Sequence, residues 1–207
     1  MSCTSQIYCS SGVFLNADDV SSTFDRCRSL GIRNVELSSG LKSGSDDLPK
    51  QILSSKDEFN ILIHNYFPAP KKPFVLNLAD TDEKIRQRSL LFCEEAIKLS
   101  GITGIPSYSV HAGFVSSLKV NDLGKPDRQI DEITYKMFVD ATRRFYQSIE
   151  SLLETATTCG VQLLIENNVH ATKLNISSCS SHLLLAEPKS ISEFFLHFNH
   201  PNLGLLL

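Results

Sequence analysis

Short apolar runs alternate along this chain with longer stretches in which apolar residues recur every three or four positions. Short runs bounded by turn formers are typical of strands buried on both faces, and the longer repeat is typical of helices with one buried face. The pattern predicts six strands alternating with five helices. We place the strands at residues 6–12, 32–37, 60–64, 107–111, 161–165 and 203–207, and the helices at 16–31, 46–55, 81–101, 131–160 and 188–198.

Capping residues and glycines set the ends of the predicted helices. Asn16 can cap the first helix, and Asp19 favours the positive end of its dipole. Gly31, Gly101 and Gly160 follow helical patterns and are expected to end three helices. The longest helix has a stripe that we expect to face the core, made of Tyr135, Val139, Thr142, Tyr146, Ile149, Leu153 and Ala156.

The order of the elements indicates a parallel sheet with helices outside it, because no hairpin signal interrupts the alternation. No glycine-rich phosphate-binding motif follows any strand, which argues against a nucleotide-binding doubly wound fold. Long loops follow the third, fourth and fifth strands, as in a (β/α)8 TIM barrel, which typically needs about 250 residues. We therefore predict that residues 1–207 form one incomplete TIM-barrel domain, and that the native protein continues past Leu207.

Four short apolar runs along the chain each end with one titratable residue, followed by loop-forming residues. These residues are Glu36, His64, His111 and Glu166. Chemistry in parallel α/β folds collects at the carboxyl ends of the strands, so these side chains are expected to converge there. Two imidazoles and two carboxylates in one place are candidates for a metal site or an acid/base site.

Composition narrows the partners and the compartment. The net charge of −3 and pI of about 6.1 argue against a duplex nucleic-acid binder, which usually has a basic face. No apolar stretch reaches the ~18 residues of a membrane span, and the amino terminus lacks a signal-peptide pattern. The six cysteines form no C-x-x-C pair, so we expect free thiols in a reducing, cytoplasmic setting.

Several segments in chain order resemble the xylose isomerase-like TIM barrels, a superfamily of sugar-phosphate isomerases and epimerases that also holds abasic-site endonucleases of the endonuclease IV type. The segments are His64-Asn-Tyr-Phe-Pro, Phe74-Val-Leu-Asn-Leu-Ala, Arg86-Gln-Arg-Ser-Leu, Val110-His-Ala-Gly-Phe and Leu164-Ile-Glu-Asn-Asn. The resemblance extends over essentially the whole chain.

The resemblance implies roles for the residues at the strand ends. Glu166 matches a glutamate that is a metal ligand in the sugar isomerases and often also the acid/base. His64 and His111 match zinc ligands of the endonuclease branch, whereas in many isomerase relatives such histidines serve the substrate. Asn167 is expected to orient Glu166 or bind a substrate hydroxyl, and Glu36 is a weaker substrate-binding candidate. The family's further ligands follow the sixth strand, where this sequence ends.

The resemblance favours a sugar or sugar phosphate isomerase or epimerase that moves a proton next to a carbonyl. A divalent cation would polarise that carbonyl, and Mn²⁺, Mg²⁺, Co²⁺ and Zn²⁺ all suit mixed nitrogen and oxygen ligands. Two alternatives remain open: metal-dependent cleavage of abasic DNA, and a non-catalytic barrel fragment. We also expect association into a homo-oligomer through exposed strand edges.

Other polar residues have simpler interpretations. Lys71, Lys72 and Lys125 lie in carboxyl-side loops, where solvation is favoured over contact with a phosphate. The remaining histidines lie in loops or at a helix end and are not expected to bind a metal; they are His170, His182, His197 and His200. Three phenylalanines near the carboxyl end are expected to pack a helix; they are Phe194, Phe195 and Phe198.

Overall fold

The computed structural model describes residues 7–14, 19–39, 41, 47–122, 133–169 and 182–207. Six strands in these residues form one sheet in sequential order, and every neighbouring pair is parallel. They are β1 (Cys9–Ser10), β2 (Asn34–Leu37), β3 (Asn60–His64), β4 (Ser107–His111), β5 (Gln162–Glu166) and β6 (Leu203–Leu206). The predicted α/β fold, an incomplete TIM barrel, is confirmed.

Five α-helices connect the strands: α1 (Val20–Ser29), α2 (Leu48–Ser55), α3 (Glu83–Thr103), α4 (Tyr135–Cys159) and α5 (Pro188–Phe198). Asp19 caps α1 in a capping box with Ser22, and Thr134 caps α4. The predicted cap Asn16 lies outside the described residues. Gly160 ends α4 in the left-handed conformation, as its position in the sequence predicts.

The predicted end of α3 at Gly101 is wrong, because the helix continues to Thr103 and Gly104 provides the left-handed cap. A Cβ on Gly101 would lie 3.0 Å from Cβ of Cys159, so this glycine allows α3 and α4 to approach closely. The first strand is also shorter than predicted, since a 3₁₀ turn begins at Ser11.

The sheet buries one face under the helices. Outward-facing residues are fully buried, among them Val35, Ile63, Val110 and Ile165. The residues between them face the other side, where Leu62 and Leu164 are only partly buried. The prediction that the strands are buried on both faces is therefore wrong for the inner faces of β2, β3 and β5, whereas in β4 Ser107 and Ser109 are buried on that face too. In the described residues β1 and β6 each have one neighbour, so the sheet is open.

The buried face of α4 agrees with the predicted stripe at Ile149, Leu153 and Ala156 but differs from it toward the amino end. Tyr135 is 84% exposed and Val139 is 37% exposed. The buried side chains are Ala141, Phe145, Ser148, Ile149, Leu152, Leu153 and Ala156. Ser148 faces inward because its hydroxyl donates a hydrogen bond to the carbonyl of Leu78. Hydropathy alone assigns a serine to the exposed face of a helix. The predicted stripe is therefore rotated about the helix axis relative to the face that is buried.

Two further sequence predictions concern cysteines and membranes. The described cysteines, Cys9, Cys27, Cys93 and Cys159, are free thiols as predicted. Cys3 and Cys179 lie outside the described residues. Within the described part of the chain, no helix has the length and apolar character needed to cross a membrane.

A candidate metal and acid/base site

Three side chains from neighbouring strands meet at the carboxyl end of the sheet. His64, His111 and Glu166 are the last residues of β3, β4 and β5. Nε2 of His64 and Nδ1 of His111 each lie 3.3 Å from the same oxygen, Oε2 of Glu166. The two imidazole rings meet edge to face, with centroids 5.2 Å apart and planes at 84°. The expected convergence of these three residues is therefore present.

Strand alternation and register bring these residues together. The residue before each of them is buried under the helices, so the next side chain points to the inner face. In the ladder His111 is level with Glu166, while His64 is level with Ser109. The site is therefore built by the strand pairing itself and not by loop conformation.

The donor set suits a divalent transition metal. One nitrogen of each histidine and one carboxylate oxygen of Glu166 lie within 4.8 Å of one another. Two imidazoles and a carboxylate are established ligands of zinc, and imidazole and carboxylate also suit manganese and cobalt. Among the described residues, His64, His111 and Glu166 form the one group of three or more His, Cys, Asp or Glu side chains whose ligand atoms lie close enough together to hold a metal ion. The residues present thus fit a metal, although its identity is open.

Ser109 supports His64 from the neighbouring strand. Nδ1 of His64 and Oγ of Ser109 are 2.8 Å apart, and Oγ lies 3.4 Å from the carbonyl oxygen of Ile63. If the hydroxyl donates to that carbonyl, His64 donates its Nδ1 proton to the hydroxyl and keeps a lone pair on Nε2. Burial lowers the pKa of His64, the neighbouring His111 lowers it further, and Glu166 opposes both. The net lowering of the His64 pKa favours the neutral imidazole, which is the form that binds a metal.

Glu36 lies on the same inner face, outside the group of three. Burial raises its pKa, while a hydrogen bond from Ser10 and the charge of His111 lower it. The hydroxyl of Ser10 also lies 2.7 Å from that of Ser38. The weaker candidate Glu36 is thus within electrostatic reach of His111, but it is not one of the three converging residues.

The two asparagines after Glu166 have different contacts. The Asn167 side chain donates a hydrogen bond to the carbonyl of Asn168, and its role toward Glu166 or substrate stays a prediction. Asn168, which the sequence does not single out, donates its side-chain amide to three carbonyls, those of Ala112, Gly113 and Leu184. An asparagine in a polar loop gives no signal that separates it from its neighbours.

The other histidines that the structure describes are not part of the three-residue group. His182 is buried and its Nδ1 lies 3.3 Å from Oγ of Ser116, so it belongs to the packing of the loop. His197 stacks at an angle against Tyr146, and Nδ1 of His200 accepts a hydrogen bond from the backbone. Lys71 and Lys72 are exposed, and Phe194, Phe195 and Phe198 pack α5 as predicted, while His170 and Lys125 lie outside the described residues.

Solved structures with a similar backbone include several sugar epimerases. A D-tagatose 3-epimerase-like protein superposes with a TM-score of 0.67 at 18% identity, covering 95% of this chain and 62% of that one. An L-ribulose 3-epimerase gives 0.67 at 19%, covering 96% and 59%. A 3-keto-D-glucoside 4-epimerase from E. coli gives 0.66 at 9%, covering 96% and 66%. These identities establish likeness of fold alone.

The chain spans about three fifths of the length of the first two of these structures. No curated protein sequence matches it. The family model described as Xylose isomerase-like TIM barrel matches residues 18–207, which is nearly all of the chain. The parallel sheet and the outer helices fit an incomplete barrel of that family. The chain therefore belongs to the xylose isomerase-like TIM barrel family.

Proposed function

We propose that the chain is part of a sugar or sugar phosphate isomerase or epimerase that moves a proton next to a carbonyl, with a divalent metal held by His64, His111 and Glu166. The observation that carries the proposal is the contact of both imidazoles with one oxygen of Glu166, at 3.3 Å each. Membership in the family and the epimerases among similar structures support it.

A bound divalent cation would supply charge that polarises a substrate carbonyl and makes the neighbouring C–H more acidic. The protein's own part is to place a base beside that carbon. Glu166 has two carboxylate oxygens, so one can face the histidines while the other accepts the proton and returns it to carbon. Return by Glu166 to the neighbouring carbon on the same face gives an isomer, whereas an epimer requires a second acid that protonates the carbon from the opposite face.

The two histidines and Glu36 shape the space around the base. The side chain of His64 is 14% exposed and held by Ser109, so it is the more fixed of the two imidazoles. The side chain of His111 is 41% exposed and is the one open to a substrate hydroxyl or phosphate oxygen. Glu36, on β2 next to the strand of His64, offers a carboxyl group for a further hydroxyl.

Exchange of substrate hydrogen with solvent tests this proposal. The full-length protein would be incubated in D₂O with Mn²⁺ and a panel of ketoses and ketose phosphates, with NMR detecting deuterium beside the carbonyl. We expect incorporation that is lost in Glu166→Gln and kept in Asn202→Ala, a control at the amino end of β5. If the protein binds the metal but no sugar in the panel exchanges hydrogen with the solvent, the proposal is contradicted.

A second candidate is metal-dependent cleavage of abasic DNA. The specific observation in its favour is that His64 and His111 both contact Glu166, because these positions resemble zinc ligands of the endonuclease branch. The net charge of −3 argues against binding of duplex DNA. A nicking assay on an abasic duplex with Zn²⁺ separates the two functions. If the protein cleaves the duplex and His111→Asn abolishes the cleavage, the endonuclease function replaces the sugar reaction as the proposal.

A further inference from the structure

The chain segment directly after His111 is held by side-chain amides as well as by backbone hydrogen bonds. Asn168 donates its side-chain amide to the carbonyl of Ala112 at 2.9 Å and to that of Gly113 at 3.3 Å. The same amide reaches the carbonyl of Leu184 at 2.8 Å. One side chain in the loop after β5 therefore connects the end of β4 to the segment that precedes α5.

A second asparagine, Asn77, also holds this segment. Oδ1 of Asn77 accepts a hydrogen bond from the backbone N–H of Phe114 at 2.9 Å, and its Nδ2 donates to the carbonyl of Phe114 at 3.1 Å. Asn77 is fully buried, and its amide also reaches Asp80, which is buried as well. Asn77 therefore holds the Phe114 end of the segment from within the core, whereas Asn168 holds its Ala112 end.

Backbone contacts link the segment to Glu166. The N–H of Ala112 donates to the carbonyl of Glu166 at 2.9 Å, and the N–H of Leu184 donates to the carbonyl of Gly113 at 3.1 Å. Asn168 is two residues after Glu166 and Ala112 is one residue after His111. The hydrogen bond between Asn168 and Ala112 therefore closes a short ring through the two proposed ligands, and it limits how far their backbones can separate.

We propose that Asn168 is a positioning residue for the His111–Glu166 pair, which makes the loop after β5 part of the metal centre's support. This inference rests on the metal centre proposed above. Residues that orient ligands without touching the metal commonly change metal affinity by about 10- to 100-fold when they are replaced. Loss of the Asn168 amide should therefore reduce the free energy of metal binding by more than it reduces the free energy of unfolding.

Cobalt binding to the metal-free full-length protein tests this role, followed by the Co²⁺ absorption spectrum and by calorimetry. We expect the Kd to rise by about 10- to 100-fold in Asn168→Ala. The matched control is Asn202→Ala, which removes an asparagine amide that donates to the carbonyl of Val161 at the other end of β5. Asn202→Ala should leave the Kd within about twofold of the value for the unsubstituted protein. Its thermal midpoint should fall by about as much as that of Asn168→Ala.

An unchanged Kd in Asn168→Ala, or an equal rise in Asn202→Ala, would overturn the inference. If Asn168→Ala does not fold, Asn168→Ser keeps one donor, and a smaller rise in Kd is expected. If the unsubstituted protein does not bind Co²⁺, the metal centre is refuted, and crystal structures of the metal-free proteins then test the positioning role. Loss of the 3.3 Å His111–Glu166 contact in Asn168→Ala supports it, and retention overturns it.

Discussion

Gly113 lies where the support of the site is most tightly packed. A Cβ at this position would lie 2.8 Å from Oδ1 of Asn77 and 2.9 Å from Cβ of Ala79. Both neighbours are fully buried, and the Asn77 oxygen is also the acceptor for two backbone N–H groups. Gly113→Ala therefore forces a displacement within the core, and overpacking of this kind costs about 1–3 kcal/mol.

For a chain of this size that cost corresponds to a fall of about 2–12 °C in the thermal midpoint, measured by scanning calorimetry. Gly12→Ala is the control, because a Cβ there would meet no atom closer than 3.6 Å. We also expect weaker metal binding in Gly113→Ala, since residue 113 follows His111 by two positions. Equal midpoints for the two variants would refute the packing argument.

Three further predictions address the support of the site and the core. Ser109→Ala removes the partner of His64 Nδ1 and should raise the metal Kd about 10-fold or more by calorimetry; an unchanged Kd would contradict this. Tyr108→Phe removes a buried hydroxyl that donates to a backbone carbonyl at 2.8 Å, so urea unfolding should show a loss of about 1–3 kcal/mol, and wild-type stability would contradict it. Burial raises the pKa of Cys27 to about 11 and of Cys93 to about 12, so at pH 8 both should resist iodoacetamide until the protein unfolds; rapid labelling of either in the folded protein would contradict this.

The strand-end residues were predictable from the sequence because they depend on two simple rules. Apolar runs locate the strands, and the carboxyl ends of parallel strands share one side of the sheet. His64, His111 and Glu166 each follow a buried residue at the end of such a run, so their convergence needs no further information. Glu36 also follows a buried residue, Val35, but it lies one residue before the end of β2, within electrostatic reach of His111.

The features that the sequence did not predict depend on contacts distant along the chain. Asn77 and Asn168 hold the segment after His111, but their partners lie about 40 and 55 residues away. The end of α3 was misplaced because Gly101 serves a contact with Cys159 on another helix and not a helix end. Composition cannot distinguish a glycine in a helix contact from one in a cap.

The domain prediction, the homo-oligomer and the association through strand edges stay predictions. In the described residues β1 and β6 are the edges of the sheet. Sedimentation of the isolated 207-residue chain would test the association, and a stable monomer at high concentration would contradict it.

The central claim is that His64, His111 and Glu166 hold a divalent metal, and equilibrium dialysis with metal analysis tests it most directly. The full-length protein, Glu166→Gln and the control Glu150→Gln, which changes an exposed glutamate on α4, would be dialysed against Mn²⁺, Co²⁺ and Zn²⁺. We predict that the unsubstituted protein and the control bind at least one of these cations and that Glu166→Gln loses it. Equal binding by Glu166→Gln would contradict the account.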